Sequence, residues 1–198
     1  MTENKVVFLK GKKVILRPLR KETDLEPCLR WFNDPDVTQY LTTYLPIMPQ
    51  KEAEWFDELA KSNDRVELAI ETHDGKFIGT IGLHGIHPRD RTAMSGTVIG
   101  EKGDKESNWG RGLGTDAKMQ LLHYAFNTLN LRKINSAVYA FNERSLKYCL
   151  KCGYKIEGRR EQEVFRNGEY QDVILLAVFR DDWLPIWKRY QEMGEAEQ

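Results

Sequence analysis

Three glycines at alternate positions precede a helical pattern just past the middle of the chain. Gly110, Gly112 and Gly114 stand in the segment SNWGRGLGTDAKMQLLHYAFNTL, residues 107–129. A helix N-terminus carries unpaired N–H groups and the positive end of the helix dipole. Glycines in front of it let an anion approach the backbone and permit a positive φ. The loop therefore predicts a phosphate-binding site at 110–115, and a plain glycine turn before a surface helix is the alternative.

Two known phosphate-binding patterns fit this loop poorly. The P-loop pattern fails because no Gly-Lys-Ser/Thr follows. The dinucleotide pattern G-x-G-x-x-A matches Gly112, Gly114 and Ala117. That motif, however, requires a strand that opens a βαβ unit and an acidic residue about twenty positions further on. The segment 132–135 reads Arg-Lys-Ile-Asn, so a nicotinamide dinucleotide is the weaker interpretation.

A second polar segment, NERSLKYCLKCGY, follows later in the chain. It gives Asn142, then Ser145 and Tyr148 three and six residues on, within a predicted helix that Gly153 ends. The same helix carries a CxxC pair at 149–152, but no second pair supplies the remaining zinc ligands. Cysteines that pack one edge of the core are therefore favoured over a metal or redox site.

The composition places these motifs in an ordinary globular chain. The 198 residues suit one domain over 1–198, and Lys plus Arg equals Asp plus Glu at 30 each. No bulk basicity therefore indicates nucleic acid, and the longest apolar run, 173–179, is too short to span a membrane. Three cysteines and no signal-peptide pattern favour reduced thiols and a cytoplasmic location.

Hydrophobic periodicity predicts the elements that position the motifs. Their order is β-α-α-β-β-β-α-β-α-β-β, which indicates a mixed α/β sheet rather than a doubly wound fold. Thr23 or Asp24 is the predicted cap of the first helix, and Thr115 lies near the predicted cap of the glycine-loop helix. The predicted strands are 12–19, 66–72, 76–86, 92–100, 133–140 and a hairpin over 154–179 turning at Asn167-Gly168, and the predicted helices are 21–34, 50–62, 113–129, 142–152 and a short C-terminal one.

Together these segments resemble the GNAT superfamily of acetyl-CoA-dependent N-acetyltransferases, in its ribosomal-protein-alanine and spermidine N-acetyltransferase branch. The resemblance covers about 12–184. The loop matches the Q/R-x-x-G-x-G/A signature at 109–114, with Trp109 in the Gln/Arg slot. The four segments that carry it are LRWFNDPDVTQYL (29–41), WGRGLGTDA (109–117), NERSLKYCLKCGY (142–154) and NGEYQDVILLAVFRDDW (167–183).

The resemblance implies an α+β GNAT fold: a twisted, mostly antiparallel sheet of about seven strands flanked by about four helices. The strands ending near Gly100 and running over 133–140 would part, and the pantetheine arm of acetyl-CoA would lie between them. No metal is implied. The implied cofactor-binding residues are Ile99, Gly100, Trp109, Gly110, Arg111, Gly112, Leu113, Gly114, Thr115, Asn142 and Ser145.

Acetyl transfer to an amine needs a neutral amine, a stabilised oxyanion and a protonated leaving thiolate. The resemblance gives the acid role to Tyr148, with an ordinary core aromatic as the alternative. A phenol with a pKa near ~10 can protonate a thiolate whose thiol has a pKa near ~8.5 only when the two are adjacent. A backbone N–H near Ile99 or Gly100 would meet the oxyanion.

The general base is open at this point. Many relatives carry a Glu on the strand before the loop, where this chain has Met94. Deprotonating an alkyl amine costs roughly 4–5 kcal/mol at pH 7, but an α-amine costs only about 1–1.5 kcal/mol, so Met94 slightly favours an α-amine that needs no base. The other candidates for the base are Glu101, Asp104, His84 and His87.

The acceptor site would be built by the segment 31–46 and the turn at 84–91, with Trp31, Asn33, Asp34, Tyr44 and His84 as lining candidates. An aromatic and acidic lining suits a cation. The predicted function is direct acetyl transfer from acetyl-CoA to a primary amine, either a protein or peptide N-terminus or a small amine such as a polyamine. The rival is a CoA-binding sensor or scaffold with little turnover. A homodimer is expected by resemblance.

Overall fold

The computed structural model of the chain describes residues 6–100 and 108–193, and those residues form eight strands and six helices. The strands are β1 (Leu9–Lys10), β2 (Val14–Pro18), β3 (Val66–Thr72), β4 (Phe77–His87), β5 (Thr92–Ile99), β6 (Lys133–Tyr139), β7 (Lys155–Arg166) and β8 (Glu169–Phe179). The helices are α1 (Lys21–Trp31), α2 (Pro35–Thr38), α3 (Pro49–Leu59), α4 (Leu113–Asn127), α5 (Glu143–Lys151) and α6 (Arg180–Glu192).

The strands form a mixed, mostly antiparallel sheet in the order β1-β2-β3-β4-β5-β6-β8-β7, which confirms the predicted class. The additional strand is β1, whose two residues are too short to produce a periodic signal. β5 and β6 pair in parallel over three residues only, Thr92–Met94 against Lys133–Asn135. Both strands continue beyond these paired residues, and the parting of the two stays a prediction.

The chain forms two compact units. Unit 1 contains the described residues of 1–82 and 97–120, and unit 2 contains those of 83–96 and 121–198. The elements β4, β5 and α4 each contribute residues to both. The expectation of a single domain over 1–198 stays a prediction.

A buried ion triad organises unit 1. The Arg17 guanidinium donates to both carboxylate oxygens of Asp24 at 2.6 and 2.9 Å and to Glu71 at 2.5 Å. The predicted cap at Thr23 or Asp24 is wrong, because α1 begins at Lys21 and Asp24 is buried against Arg17 instead. Burial alone would raise the pKa of Asp24, but the hydrogen bonds from Arg17 and from the Arg20 N–H lower it below its usual value. The triad ties β2 to α1 and β3.

An apolar cluster in unit 1 joins α1 to α3. Cys28, Trp31 and Phe56 are buried in it, and the Phe77 ring lies 5.0 Å from the Trp31 ring. Phe56 is the residue of α3 that enters the core, whereas the neighbouring Trp55 is only half-buried. Helix α1 is therefore held by the ion triad near its start and by apolar packing at its C-terminal end.

Unit 2 contains the long β7–β8 hairpin and the last two helices. Asn167 and Gly168 both have positive φ, 53° and 85°, as a two-residue hairpin turn requires, which confirms the predicted turn. Cys149 and Cys152 are buried thiols, in agreement with the predicted core packing. Within the described ranges, no helix combines the length and apolar composition that crossing a membrane requires.

Candidate functional site

The alternate glycines of the loop have a conformational reason. Gly110 and Gly112 both adopt a φ of +79°, a region that other residues enter only with strain. The Gly112 carbonyl accepts the N–H of Asp116 at 3.0 Å, so α4 begins directly after Gly112. The predicted cap near Thr115 is therefore corrected to Gly112. Because glycine has no side chain, residue 112 cannot cap the first N–H groups of α4.

The acidic residue in the first turn of α4 faces away from the glycine loop. Asp116 is buried, and its carboxylate accepts the backbone N–H groups of Lys12, Lys13 and Val14 at 3.1, 2.6 and 2.9 Å. A Cβ at Gly11 would collide with this carboxylate, so glycine is required there. Asp116 thus holds the start of α4 against the β1–β2 turn, a contact that the sequence analysis missed.

A lysine from that turn reaches the loop. The Lys13 ammonium donates to the Arg111 carbonyl at 3.1 Å and lies 3.3 Å from the position that a Cβ would take at Gly112. A positive charge therefore lies beside the two residues at which an anion would meet the α4 amides. No local pattern indicates Lys13, because it stands 98 residues before Arg111.

Two further predicted cofactor-binding residues are brought together beside the loop. The Trp109 indole N–H donates to the carbonyl of Ile99 at 3.0 Å, so the side chain in the Gln/Arg slot ties the loop to the end of β5. The N–H of Gly100 donates to the Ile78 carbonyl at 2.9 Å. Of the two residues considered for the oxyanion donor, Gly100 thus has its N–H engaged within the sheet.

Trp31, an acceptor-lining candidate, lies against Gly100. It is only 4% exposed, and a Cβ at Gly100 would overlap the Nε1, Cε2 and Cδ2 atoms of its indole. Only glycine fits at this position while the indole stays in place. The ring is part of the core of unit 1, and it contacts Gly100, which directly follows the last residue of β5, Ile99.

In unit 2, α5 carries the second set of predicted residues. Asn142 is its N-cap, and its side-chain oxygen accepts the N–H of Ser145 at 3.1 Å. This contact uses the Asn142 Oδ1 and leaves the amide NH₂ as the group that can donate to a ligand. Ser145 and Tyr148 are half-buried and lie on the same helix.

The candidates for the general base have different settings. His84 is half-buried on β4, with Nε2 3.2 Å from the position of a Cβ at Gly96. His87 is more exposed and pairs with Asp90 in the turn. Met94 is 43% exposed and supplies no carboxylate. Glu101 and Asp104 lie outside the described residues.

The structure adds one carboxylate that the sequence analysis missed. Burial raises the pKa of Glu67 to about 7, against smaller lowering effects from a Thr80 hydrogen bond and the charges of Arg65 and Lys118. Its Oε2 is buried and would collide with a Cβ at Gly82. A carboxylate with a pKa near neutrality has the range of a general base. The glutamate in the strand segment VELAIET was the available signal.

The remaining acceptor candidates are on the surface. The Asn33 amide bonds three backbone groups, the carbonyls of Leu29 and Ile47 at 2.8 and 3.0 Å and the Ile47 N–H at 2.8 Å. Asn33 therefore shapes the loop over 33–47. Asp34 caps α2 by accepting the Asp36 N–H. Tyr44 is 79% exposed.

In residues 6–100 and 108–193, no three or more His, Cys, Asp or Glu side chains are grouped so that they could hold a metal ion.

The chain is similar to known acetyltransferases over most of its length. Residues 13–155 match the family described as "Acetyltransferase (GNAT) domain". This chain is 30% identical to the probable N-acetyltransferase YjcK of Bacillus subtilis over 183 residues, and the match covers 88% of this chain and 98% of that protein. It is 28% identical to the spermidine N(1)-acetyltransferase of Escherichia coli K12, covering 86% and 88%.

A solved structure shares the fold. The spermidine N-acetyltransferase from Vibrio cholerae, in complex with CoA and spermine, superposes with a TM-score of 0.79 and 24% identity. The match covers 86% of this chain and 98% of that one. At this identity the likeness establishes the arrangement of strands and helices.

Proposed function

This chain belongs to the GNAT family of acetyltransferases, and we propose that it transfers the acetyl group of acetyl-CoA directly to a primary amine of a small cation such as a polyamine. The observation that carries the proposal is the start of α4, which leaves its first amides uncapped by residue 112 and has the Lys13 ammonium beside it. The acceptor class rests on the 28% identity with a spermidine N(1)-acetyltransferase.

The phosphate end of the cosubstrate is assigned to unit 1. The N–H groups of residues 111–115 donate to the diphosphate oxygens, and the helix dipole favours the negative charge. Lys13 adds a full positive charge at Gly112. Trp109 keeps the loop in place through its bond to Ile99. The donor set fits a diphosphate because every group offered there is an N–H donor.

The acyl end is assigned to four groups. The NH₂ of Asn142 donates to the pantetheine, with Ser145 beside it. The N–H of Ile99 stabilises the oxyanion, since that of Gly100 donates to Ile78. Tyr148 gives its phenolic proton to the departing thiolate. Acetyl-CoA supplies the activated thioester, and no covalent intermediate on the protein is required.

A polyamine acceptor makes the base important. An alkyl ammonium costs roughly 4–5 kcal/mol to deprotonate at pH 7, so a base near neutrality accelerates its use. Glu101 and His84 keep the roles predicted from the sequence. Glu67 joins them because its carboxylate meets β4 at Gly82, two residues before His84, and burial raises its pKa to about 7.

An α-amine acceptor is the second candidate, and one observation favours it. Met94 takes the slot of the usual glutamate and is 43% exposed, so β5 offers an apolar side chain where relatives offer a base. The N-terminus of a peptide, with a pKa near ~8, needs little help to lose its proton. For either substrate, the proposed residues on the acceptor side remain Trp31, Asn33, Tyr44 and His84.

Release of CoA thiol over a panel of amines tests the proposal. Spermidine should stimulate thiol release more than peptides that begin with Ala or Ser, and the reverse order would favour the α-amine. Acetyl-CoA binding without amine-stimulated release would favour the sensor or scaffold. The Tyr148→Phe variant is the matched control, since it should bind acetyl-CoA normally and turn over at least about 10-fold more slowly. Size-exclusion chromatography with light scattering tests the predicted homodimer.

A further inference from the structure

Two tryptophans in the described part of the chain bury an indole N–H that has no hydrogen-bond acceptor. They are Trp31 in unit 1 and Trp183 in unit 2, and both Nε1 atoms are inaccessible to solvent. Trp109, by contrast, donates to Ile99. Leaving a buried donor unsatisfied is costly, so each such group in a native fold calls for an explanation.

The surroundings of Trp183 give no sign of a ligand. Its ring lies 5.3 Å from that of Phe126 and 5.2 Å from that of Trp187, and its Cδ1 lies 3.4 Å from a Cβ position at Gly153. None of these residues is a candidate for binding the cosubstrate or the acceptor. Apolar packing accounts for the position of this ring, and, among the described residues, no candidate binding residue lies beside its N–H.

The surroundings of Trp31 differ in one respect. One side of the ring packs in the core cluster with Cys28, Phe56 and Phe77. The pyrrole edge, which carries Nε1, occupies the space that a side chain at residue 100 would fill. Gly100 directly follows β5, the strand that is assigned to the acyl arm, and its own N–H is engaged with Ile78. The unpartnered donor is therefore at the strand end where the bound thioester arm is expected.

We infer that the Trp31 indole N–H is a binding group for acetyl-CoA and donates to a carbonyl oxygen of its pantetheine–acetyl arm. This inference rests on the proposed function. The arm offers amide and thioester carbonyls, which are neutral acceptors suited to a neutral N–H. In this role Trp31 contacts the cosubstrate, and the requirement for glycine at position 100 follows from the approach of the indole to the strand.

The test replaces the N–H without changing the shape of the ring. β-(3-Benzothienyl)alanine, in which sulfur takes the place of the indole N–H, is introduced at position 31 by codon suppression. The matched control carries the same replacement at position 183. Calorimetry measures the Kd for acetyl-CoA and for CoA, and thermal denaturation of the free protein measures Tm. Trp31→Phe, which also lacks the donor, is the second variant in case the first is poorly produced, and it is compared by Kd alone, because its smaller ring lowers Tm by leaving a cavity.

A structural role and a binding role predict different results. A lost neutral hydrogen bond should raise the Kd of the position 31 variant about 5-fold, while its Tm stays level or rises because an unsatisfied donor has gone. The position 183 variant should keep the Kd of the wild type. A loss for acetyl-CoA alone places the acceptor at the thioester carbonyl, and an equal loss for CoA places it at a pantetheine amide.

An unchanged Kd at position 31, or a fall in Tm larger than that of the position 183 variant, would overturn the inference. In the second case the N–H would have a partner in the free protein. If unmodified protein failed to bind acetyl-CoA, the proposed function would fall and this inference with it. Binding by the unmodified protein with no loss in the variant overturns the inference alone.

Discussion

Helices α4 and α5 both begin at residues assigned to the cosubstrate, but they begin in opposite ways. α5 is capped from within, because the Asn142 side chain accepts the N–H of Ser145. α4 follows a glycine with a φ of +79°, and the carboxylate in its first turn, Asp116, accepts three N–H groups of another segment. A helix start can serve an external anion only when the chain's own acceptors are directed elsewhere.

The polar side chains at the two helix starts also differ in charge and in what they leave for a ligand. Asp116 supplies negative charge that would compete with a phosphate, and its burial against β2 removes that competition. Asn142 is neutral, and the two ends of its amide have different uses. The oxygen accepts the N–H of Ser145 in α5, and the NH₂ group remains to donate to a ligand. The following variants test this contrast, beginning with the largest expected effect.

Asp116→Ala should be the most destabilising change. It would strip the acceptor from three N–H groups at the β1–β2 turn, and buried donors left unsatisfied cost about 1–3 kcal/mol each, so a loss of about 3 kcal/mol or more in unfolding free energy is expected. Urea denaturation measures it. Asp181→Ala, which removes an exposed first-turn acid from α6, is the control and should change stability little. Equal losses of stability in both variants would show that Asp116 does not anchor α4.

Glu67→Gln should change the pH dependence of stability. Burial raises the Glu67 pKa from 4.5 to about 7, so the folded protein binds its proton more tightly than the unfolded chain does. The stability associated with this proton is complete below pH 4.5 and is lost as the pH rises through 7. Relative to wild type, the variant should therefore gain about 3 kcal/mol between pH 4.5 and pH 8. Melting curves across this range measure the gain, and a parallel pH profile in wild type and variant would contradict it.

Gly112→Val should abolish most cosubstrate binding. A β-branched side chain is strained at a φ of +79° and would stand over the first α4 amides. We expect kcat/KM for acetyl-CoA to fall about 100-fold, or about 2.7 kcal/mol. Gly168→Val is the matched control, since Gly168 also has a positive φ, in the β7–β8 turn. It should carry similar strain without the kinetic loss, and equal kinetic losses would attribute the effect to strain alone.

Two substitutions at Asn142 separate capping from ligand binding. Asn142→Ala should lose about 1 kcal/mol of stability, because alanine cannot cap α5. Asn142→Asp keeps an equally good cap and should keep the stability, yet it loses the NH₂ donors and should raise the KM for acetyl-CoA about 10-fold. Thermal melts and initial rates on both variants measure this. A normal KM in the Asp variant would show that Asn142 caps α5 and does not bind acetyl-CoA.

Lys13→Met should have the smallest effect of the series. The ammonium beside Gly112 is solvent-exposed, so its removal should raise the KM for acetyl-CoA about 5-fold and weaken the dependence of KM on salt. The Asp116 bond uses the Lys13 backbone and is retained. Lys12→Met, on the adjacent residue, should leave KM and its salt dependence near those of wild type. The same KM change in both variants would argue for a general charge effect.

Much of this molecule could be predicted from local patterns. Alternating and helical periodicities located seven of the eight described strands and five of the six described helices, and Asn167-Gly168 located the hairpin turn. The order of the glycine loop and the Asn142–Tyr148 segment indicated the family. These features were accessible because each depends on residues within one turn, one strand or one helix of each other. The exceptions, β1 and α2, are two and four residues long and too short for a period.

The amino-acid sequence by itself thus determined the elements, the family and the helix start at which a phosphate is expected. Only the tertiary structure decided which side chains surround that start: Lys13 beside Gly112, Asp116 beneath the β1–β2 turn, and Trp31 over Gly100. These pairs are separated by about 70 to 100 residues and are joined by sheet pairing and burial. The energy of such contacts depends on desolvation and on exclusion of other side chains, which no local spacing of residue types records.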